Sequence, residues 1–219
     1  MNAACSEPGR DCPLCPRLAG YRETLRLQHP DWHNAPVSDF GDGNACLAIV
    51  GLAPGVAGAN RTGRPFTGDH AGAMLYAMLE KLGRSHGQYA AHADDRLTLD
   101  GVFITNAVRC VPPHNKPDVS EIHGCRPFLI NTLKSLANLR AVLALGAIAH
   151  QSSVKALGGK LPKMPFSHGA VHRLHTGVTL IDSYHCSRLN TNTGRLTEAM
   201  FEAVLATALE IAYSPPPLR

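Results

Sequence analysis

The sequence predicts an α/β protein, a three-layer α/β/α sandwich built on a mostly parallel central sheet. Short apolar runs at residues 46–52 (CLAIVGL), 101–105 (GVFIT) and 141–145 (AVLAL) alternate with segments of helical periodicity. The runs are apolar almost throughout, as strands covered on both faces are. Polar or glycine-rich stretches follow the strands, where ligands bind in sheets of this kind.

Residues 51–69, GLAPGVAGANRTGRPFTGD, follow the first strand and hold five glycines and two prolines. Small side chains let backbone amides approach a ligand, and a connection well beyond about six residues is either functional or disordered. Its end carries Phe66 and Asp69, an aromatic face and a carboxylate, which points to function. Ala71, Met74, Leu75, Met78, Leu79 and Leu82 then recur at helical spacing up to Gly83.

After the second strand, residues 106–115 form a loop punctuated by Pro112-Pro113. Pro117 and Asp118 suit a helix start, with Ile122, Phe128, Leu129, Leu133 and Leu136 on its apolar side. Gly146 opens a helix to about Leu157, and residues 158–169 form a polar loop around Lys160 and Lys163. Residues 171–174 and 178–183 read as strands, and 184–195 as a polar loop. A final helix, about 196–212, precedes a proline-rich end at 214–219 that is expected to fray.

A length of 219 residues suits one domain, with residues 1–45 as an N-terminal segment. No basic segment followed by an apolar run opens the chain, and no apolar run of about 18 residues occurs, so a cytoplasmic protein is expected. The formal charge of +4 is unevenly spread. Between residues 122 and 197 Asp182 is the sole acid, against nine Lys and Arg, whereas acids outnumber bases before residue 122. That asymmetry points to a polyanionic partner, nucleic acid first; a solvated basic surface is the plainer reading.

Four of the seven cysteines form a pair of pairs: Cys12 and Cys15 in a C-x-x-C, and Cys110 and Cys125 with fourteen residues between them. Four thiolates suit a tetrahedral zinc or a [4Fe–4S] cluster, and with no open ligand position the centre would be structural. Cys46 is expected in the core of the first strand and Cys5 in a tail. Cys186 fits no pair.

GLAPGVAGANRTGRPFTGD, TNAVRC at 105–110, HNKP at 114–117 and HCSRLNTNTGRLT at 185–197 together resemble the uracil-DNA glycosylase superfamily, specifically its fifth family. The resemblance implies a DNA repair glycosylase that flips a damaged base out of duplex DNA, with single strands as a further substrate, as a nucleoid-associated monomer. It implies a [4Fe–4S] cluster on Cys12, Cys15, Cys110 and Cys125 rather than zinc. It places Gly51, Ala53, Pro54, Gly55 and Phe66 around the base, with Asn106 reading its edge and His185 donating to its oxygen. Asp69 becomes the carboxylate that orients water or stabilises the sugar cation, although an N-cap role is also open. Arg61, Arg64, Ser187, Arg188, Leu189, Asn190 and Arg195 would face DNA, Leu189 as an apolar wedge.

Three departures from relatives bear on specificity and geometry. Ala53 precedes Pro54 where the first family has an aspartate, and Gly55 follows it where that family has a tyrosine, so the pocket should admit hypoxanthine and ethenocytosine besides uracil. Cys186 stands where the superfamily often has proline. A non-catalytic, metal-stabilised nucleic-acid-binding module is the competing expectation, and a phosphate-ester hydrolase is disfavoured because residues 51–69 lack a P-loop Lys-Ser/Thr pair.

Overall fold

The computed structural model describes residues 7–214, so Cys5 and residues 215–219 of the expected frayed end lie outside the described residues. The elements run in order α1 (Pro16–Gln28), β1 (Phe40–Gly41), β2 (Leu47–Gly51), α2 (Ala59–Thr62), α3 (His70–Lys81), β3 (Ser85–His86), β4 (Thr98–Leu99) and β5 (Val102–Asn106). There follow α4 (Val119–Ser135), β6 (Ala141–Leu145), α5 (Ala147–Ala156), β7 (Val171–Arg173), β8 (Thr179–Ser183), α6 (Arg188–Asn192) and α7 (Glu198–Tyr213).

The main sheet has six strands in the order β1-β5-β2-β6-β8-β7. Its four inner strands are parallel, and the short edge strands β1 and β7 run antiparallel to their neighbours. Alternate residues of each strand point to opposite faces. Leu47, Ile49, Leu143 and Ile181 pack with Leu75 and Leu79 of α3 and Phe201 and Leu205 of α7. Ala48, Val50, Val142 and Leu180 pack on the other face with Leu129 and Leu133 of α4 and Val154 of α5. Helices therefore cover both sides, as the strand composition demanded.

Helix starts follow cap chemistry. Asp69 accepts from the Gly72 amide at 2.9 Å, Asp118 and Glu121 form a capping box before α4, and Thr197 caps α7. Cys46 differs from expectation: it lies just outside β2 and is only half-buried. Within the expected loops, residues 59–62 and 188–192 close into short helices. Helix α1 had no sequence signal because its buried stripe is Leu18, Arg22 and Leu25, with a cation among its apolar members.

The N-terminal segment is tied down by buried polar groups. Arg109 pairs with Asp39 and donates to Thr132 Oγ1 at 2.8 Å, joining this segment to α4. Asn60 donates to Asn34 at 2.9 Å, and Asn34 in turn donates to the carbonyls that end α1. Asp182, the lone acid of the basic stretch, is fully buried between His150 and His172 at 2.7 and 3.0 Å. Removing one partner of a buried ion pair strands the other, so Arg109→Leu should cost about 3–5 kcal/mol in urea-induced unfolding. A loss below about 1 kcal/mol would show that Asp39 is solvated after all.

Candidate functional site

A cleft of about 590 Å³ opens at the carboxyl ends of the parallel strands. It is lined from the loop after β2 by Leu52, Ala53, Gly55 and Phe66, from the start of α3 by Asp69, from the end of β5 by Asn106, and from the loop after β8 by His185. Gly51 and Pro54 are buried in the same loop. Gly51 is there for space: a methyl on it would collide with Asn106 Oδ1 and lie 2.6 Å from the Phe66 ring. The ring stands nearly parallel to His185, 25° apart with centroids separated by 6.0 Å.

Phe66 holds a left-handed backbone with φ +53°, which costs a non-glycine residue about 1–3 kcal/mol. Neighbouring groups fix it. Tyr76 donates to the Pro65 carbonyl at 2.8 Å, and the Gly68 amide donates to Tyr89 Oη at 3.0 Å.

Asp69 divides its two oxygens. Oδ1 caps α3, while Oδ2 reaches back over the glycine loop, 3.2 Å from where a side chain on Gly55 would begin and too close to Gly58 for one to fit there. Both roles expected of this residue are thus compatible with one rotamer. Burial pushes the His185 imidazole below its ordinary pKa, opposed by the Asp69 carboxylate. A neutral imidazole beside a carboxylate can donate one hydrogen bond to an oxygen that gains charge.

The residues expected to meet DNA divide. Ser187 and Arg188 line the cleft, Leu189 beside them is 73 % exposed, and Arg61 and Arg195 are exposed. Asn190 instead donates to the His185 carbonyl at 2.8 Å and braces that loop. Arg64 corrects the expectation outright. It is 4 % exposed and its guanidinium forms a bidentate pair with Asp95 at 2.6 and 2.7 Å, so it faces the interior and not a phosphate.

Cys12, Cys15, Cys110 and Cys125 surround one small cavity walled by Leu14, Leu18, Val108 and Phe128. None is in a disulfide. Burial pushes the Cys110 and Cys125 thiols up to about 12 and about 11. Such thiols lose their protons only to a strong cation, and two donors already face the sulfurs: the Arg109 amide 3.3 Å from Cys125 and the Arg22 guanidinium 3.9 Å from Cys110. Ala53 packs against the same cluster, linking it to the cleft.

Residues 38–209 match the family model of the uracil DNA glycosylase superfamily. The chain belongs to the uracil-DNA glycosylase superfamily. It is 44 % identical over 207 residues to a type-5 uracil-DNA glycosylase of Thermus thermophilus, covering 92 % of this chain and 94 % of the relative. A type-5 uracil-DNA glycosylase of Pyrobaculum aerophilum is 41 % identical, covering 90 % of this chain and 88 % of that one. One of Mycobacterium bovis is 39 % identical, covering 92 % and 78 %. The superfamily match takes in Asp69, Asn106 and His185 but begins after Cys12 and Cys15.

Two polar residues of the cleft escaped sequence reasoning. Asn115 lines the cleft from a 3₁₀ turn with φ +56°, and His70 lines it too, 2.9 Å from Thr191 of α6. A polar residue at the end of a Pro-Pro loop was the available signal for the first. The imidazole of His185 gives a direct check on the electrostatics. Because burial disfavours its charged form, its proton resonance should titrate below 6.5, and stability should fall as pH drops below 6.5, where the unfolded chain takes up a proton the fold resists. A midpoint above 6.5 by NMR would contradict a ring whose charged form the fold disfavours.

Proposed function

We propose that this chain excises uracil from DNA as a monofunctional hydrolytic glycosylase. The supporting observation is convergence: Phe66, Asp69, Asn106 and His185, from three separate strand ends and the segments that follow them, line one cleft. A base must leave the stack to reach such a cleft. In this reading Phe66 stacks on the flipped base and the Asn106 amide pairs with its edge. Neutral His185 donates to the base oxygen as the C1′–N1 bond breaks. Asp69 Oδ2 stabilises the sugar cation and orients the water whose oxygen then bonds to C1′.

Arg61, Arg188 and Arg195 hold the backbone of double-stranded DNA, and Leu189 fills the space left by the base. Single strands are also substrates, and the protein works as a monomer in the cytoplasm, at the nucleoid. No helix among the described residues is long and apolar enough to cross a membrane. Ala53 and Gly55 leave room beside the base, so hypoxanthine and ethenocytosine should be released as well as uracil.

Cys12, Cys15, Cys110 and Cys125 would hold a structural [4Fe–4S] cluster, joining the N-terminal segment to the β5–α4 loop. Four thiolates suit either a zinc or a cluster, and the resemblance to the fifth family favours the cluster. The purified protein should be brown and contain iron and labile sulfide; a colourless protein holding only zinc would sink this assignment.

Asp69→Asn separates chemistry from capping, since asparagine caps a helix as well as aspartate does. The wild type should convert a uracil-containing duplex to abasic product. Asp69→Asn and His185→Ala should each slow single-turnover release by about 10²–10³-fold and keep their affinity for undamaged duplex. A wild type that binds duplex without making abasic sites would favour a binding module. Full activity in Asp69→Asn would leave that residue as a cap only.

A further inference from the structure

Arg64 and Asp95 form an enclosed ion pair that the proposed chemistry does not use. Their side chains are 5 % and 1 % exposed. Arg64 spends its donors inward: Nη1 and Nη2 on the two Asp95 oxygens, and Nε on Thr67 Oγ1 at 2.8 Å. Its flat face lies 4.9 Å from the Phe40 ring centroid and 5.4 Å from that of Tyr76, with Tyr89 at 5.9 Å and stacked on Tyr76. Asp95 also accepts the Ala90 and Leu97 amides, both at 3.0 Å. Each partner therefore has hydrogen bonds besides the other, which a buried ion pair needs if it is to persist.

The box closes on one residue. Pro65, Thr67 and Gly68, on either side of Phe66, are each bonded to a member of the box: Tyr76, Arg64 and Tyr89. Phe66, between them, carries the left-handed backbone and the ring that faces the cleft. The segment 87–97, which brings Asp95 and Tyr89, has no other contact with the cleft.

We propose that Asp95, acting through Arg64, is a positioning residue for base stacking: the buried pair and its aromatic walls hold Phe66 at the angle the flipped base requires. The proposal rests on the glycosylase reading above and extends it to a segment outside the cleft. It predicts energetic coupling between Asp95 and Phe66 in addition to the loss of stability that unpairing a buried arginine brings. Small displacements of a positioning group cost up to about 10²-fold in rate.

The test is a double-mutant cycle in the full chain, read by single-turnover release of uracil from duplex, with thermal unfolding alongside. Asp95→Asn should slow release by about 10- to 100-fold, yet cost less than about threefold when Phe66 is already alanine, because coupled residues are not additive. A folded Asp95→Asn protein releasing uracil at the wild-type rate overturns the proposal, as does an undiminished loss in the Phe66→Ala background. Should Asp95→Asn fail to fold, Tyr89→Phe carries the same cycle by deleting only the hydroxyl that takes the Gly68 amide. It should slow release about threefold or more, with that loss absent in Phe66→Ala, and an unchanged rate overturns the proposal. A wild type that releases no uracil would instead defeat the glycosylase reading. The positioning is then read by hydrogen exchange of the Gly68 amide, which should accelerate at least about tenfold in Tyr89→Phe and would refute the clamp if unchanged.

Discussion

The parallel register of two strands determines everything chemical in this molecule. Gly51 of β2 stands opposite Asn106 of β5, and the ladder continues past both strands, from Ala107 to the Gly51 carbonyl and from Val108 to Leu52. The residue that leaves β2 is thus a glycine at the point where the side chain leaving β5 is an amide. On the far side of β6, Leu145 pairs with Ser183 of β8, and Gly146 donates to the Ser183 carbonyl at 2.8 Å. His185 emerges two residues later over the same row. Because one residue of slip would move every side chain to the opposite, differently packed face, the two buried sheet faces lock this register.

Such a frame sets where the loops begin, and buried polar groups set where they go. Phe66 is held against its own backbone preference by hydroxyls of Tyr76 and Tyr89, and Asp69 is aimed by its bond to the first turn of α3. A cap of that kind is worth about 1 kcal/mol, so the same carboxylate contributes to folding while its second oxygen stays turned to the cleft. The Arg109–Asp39 pair and the Asn60–Asn34 bond fix the N-terminal segment behind the loop. Ala53 completes the connection, since it faces the cleft on one side and the cysteine cluster on the other.

What could be read from the sequence follows from how local each signal is. The inner strands were legible because continuous apolar runs leave few alternatives, and α3, α4 and α7 because their caps sit next to an apolar period. The glycine loop, the His185 loop and the four cysteines stood out as short motifs, and the fold gathers them into one cleft and one small cavity. Arg64 was misread for a physical reason: an arginine in a glycine-rich loop looks like a phosphate contact. Its partner Asp95 lies 31 residues away, in a segment framed by two-residue strands with no detectable period. Helix α1 was hidden by Arg22, which is buried against the Cys12 carbonyl and Cys110. Asn115 lay in a turn whose backbone strain no composition rule reveals.

The proposed reaction requires a damaged base to enter the cleft at the strand ends, with Phe66 on one side and Asp69 near its sugar. The most direct measurement is a crystal structure of the Asp69→Asn protein bound to a duplex carrying uracil opposite guanine. The expected result is an extrahelical uracil stacked on Phe66, its edge on Asn106, its oxygen within hydrogen-bond reach of His185 and Leu189 in the gap. A uracil left in the helical stack, or a duplex bound to another face of the protein, would contradict it.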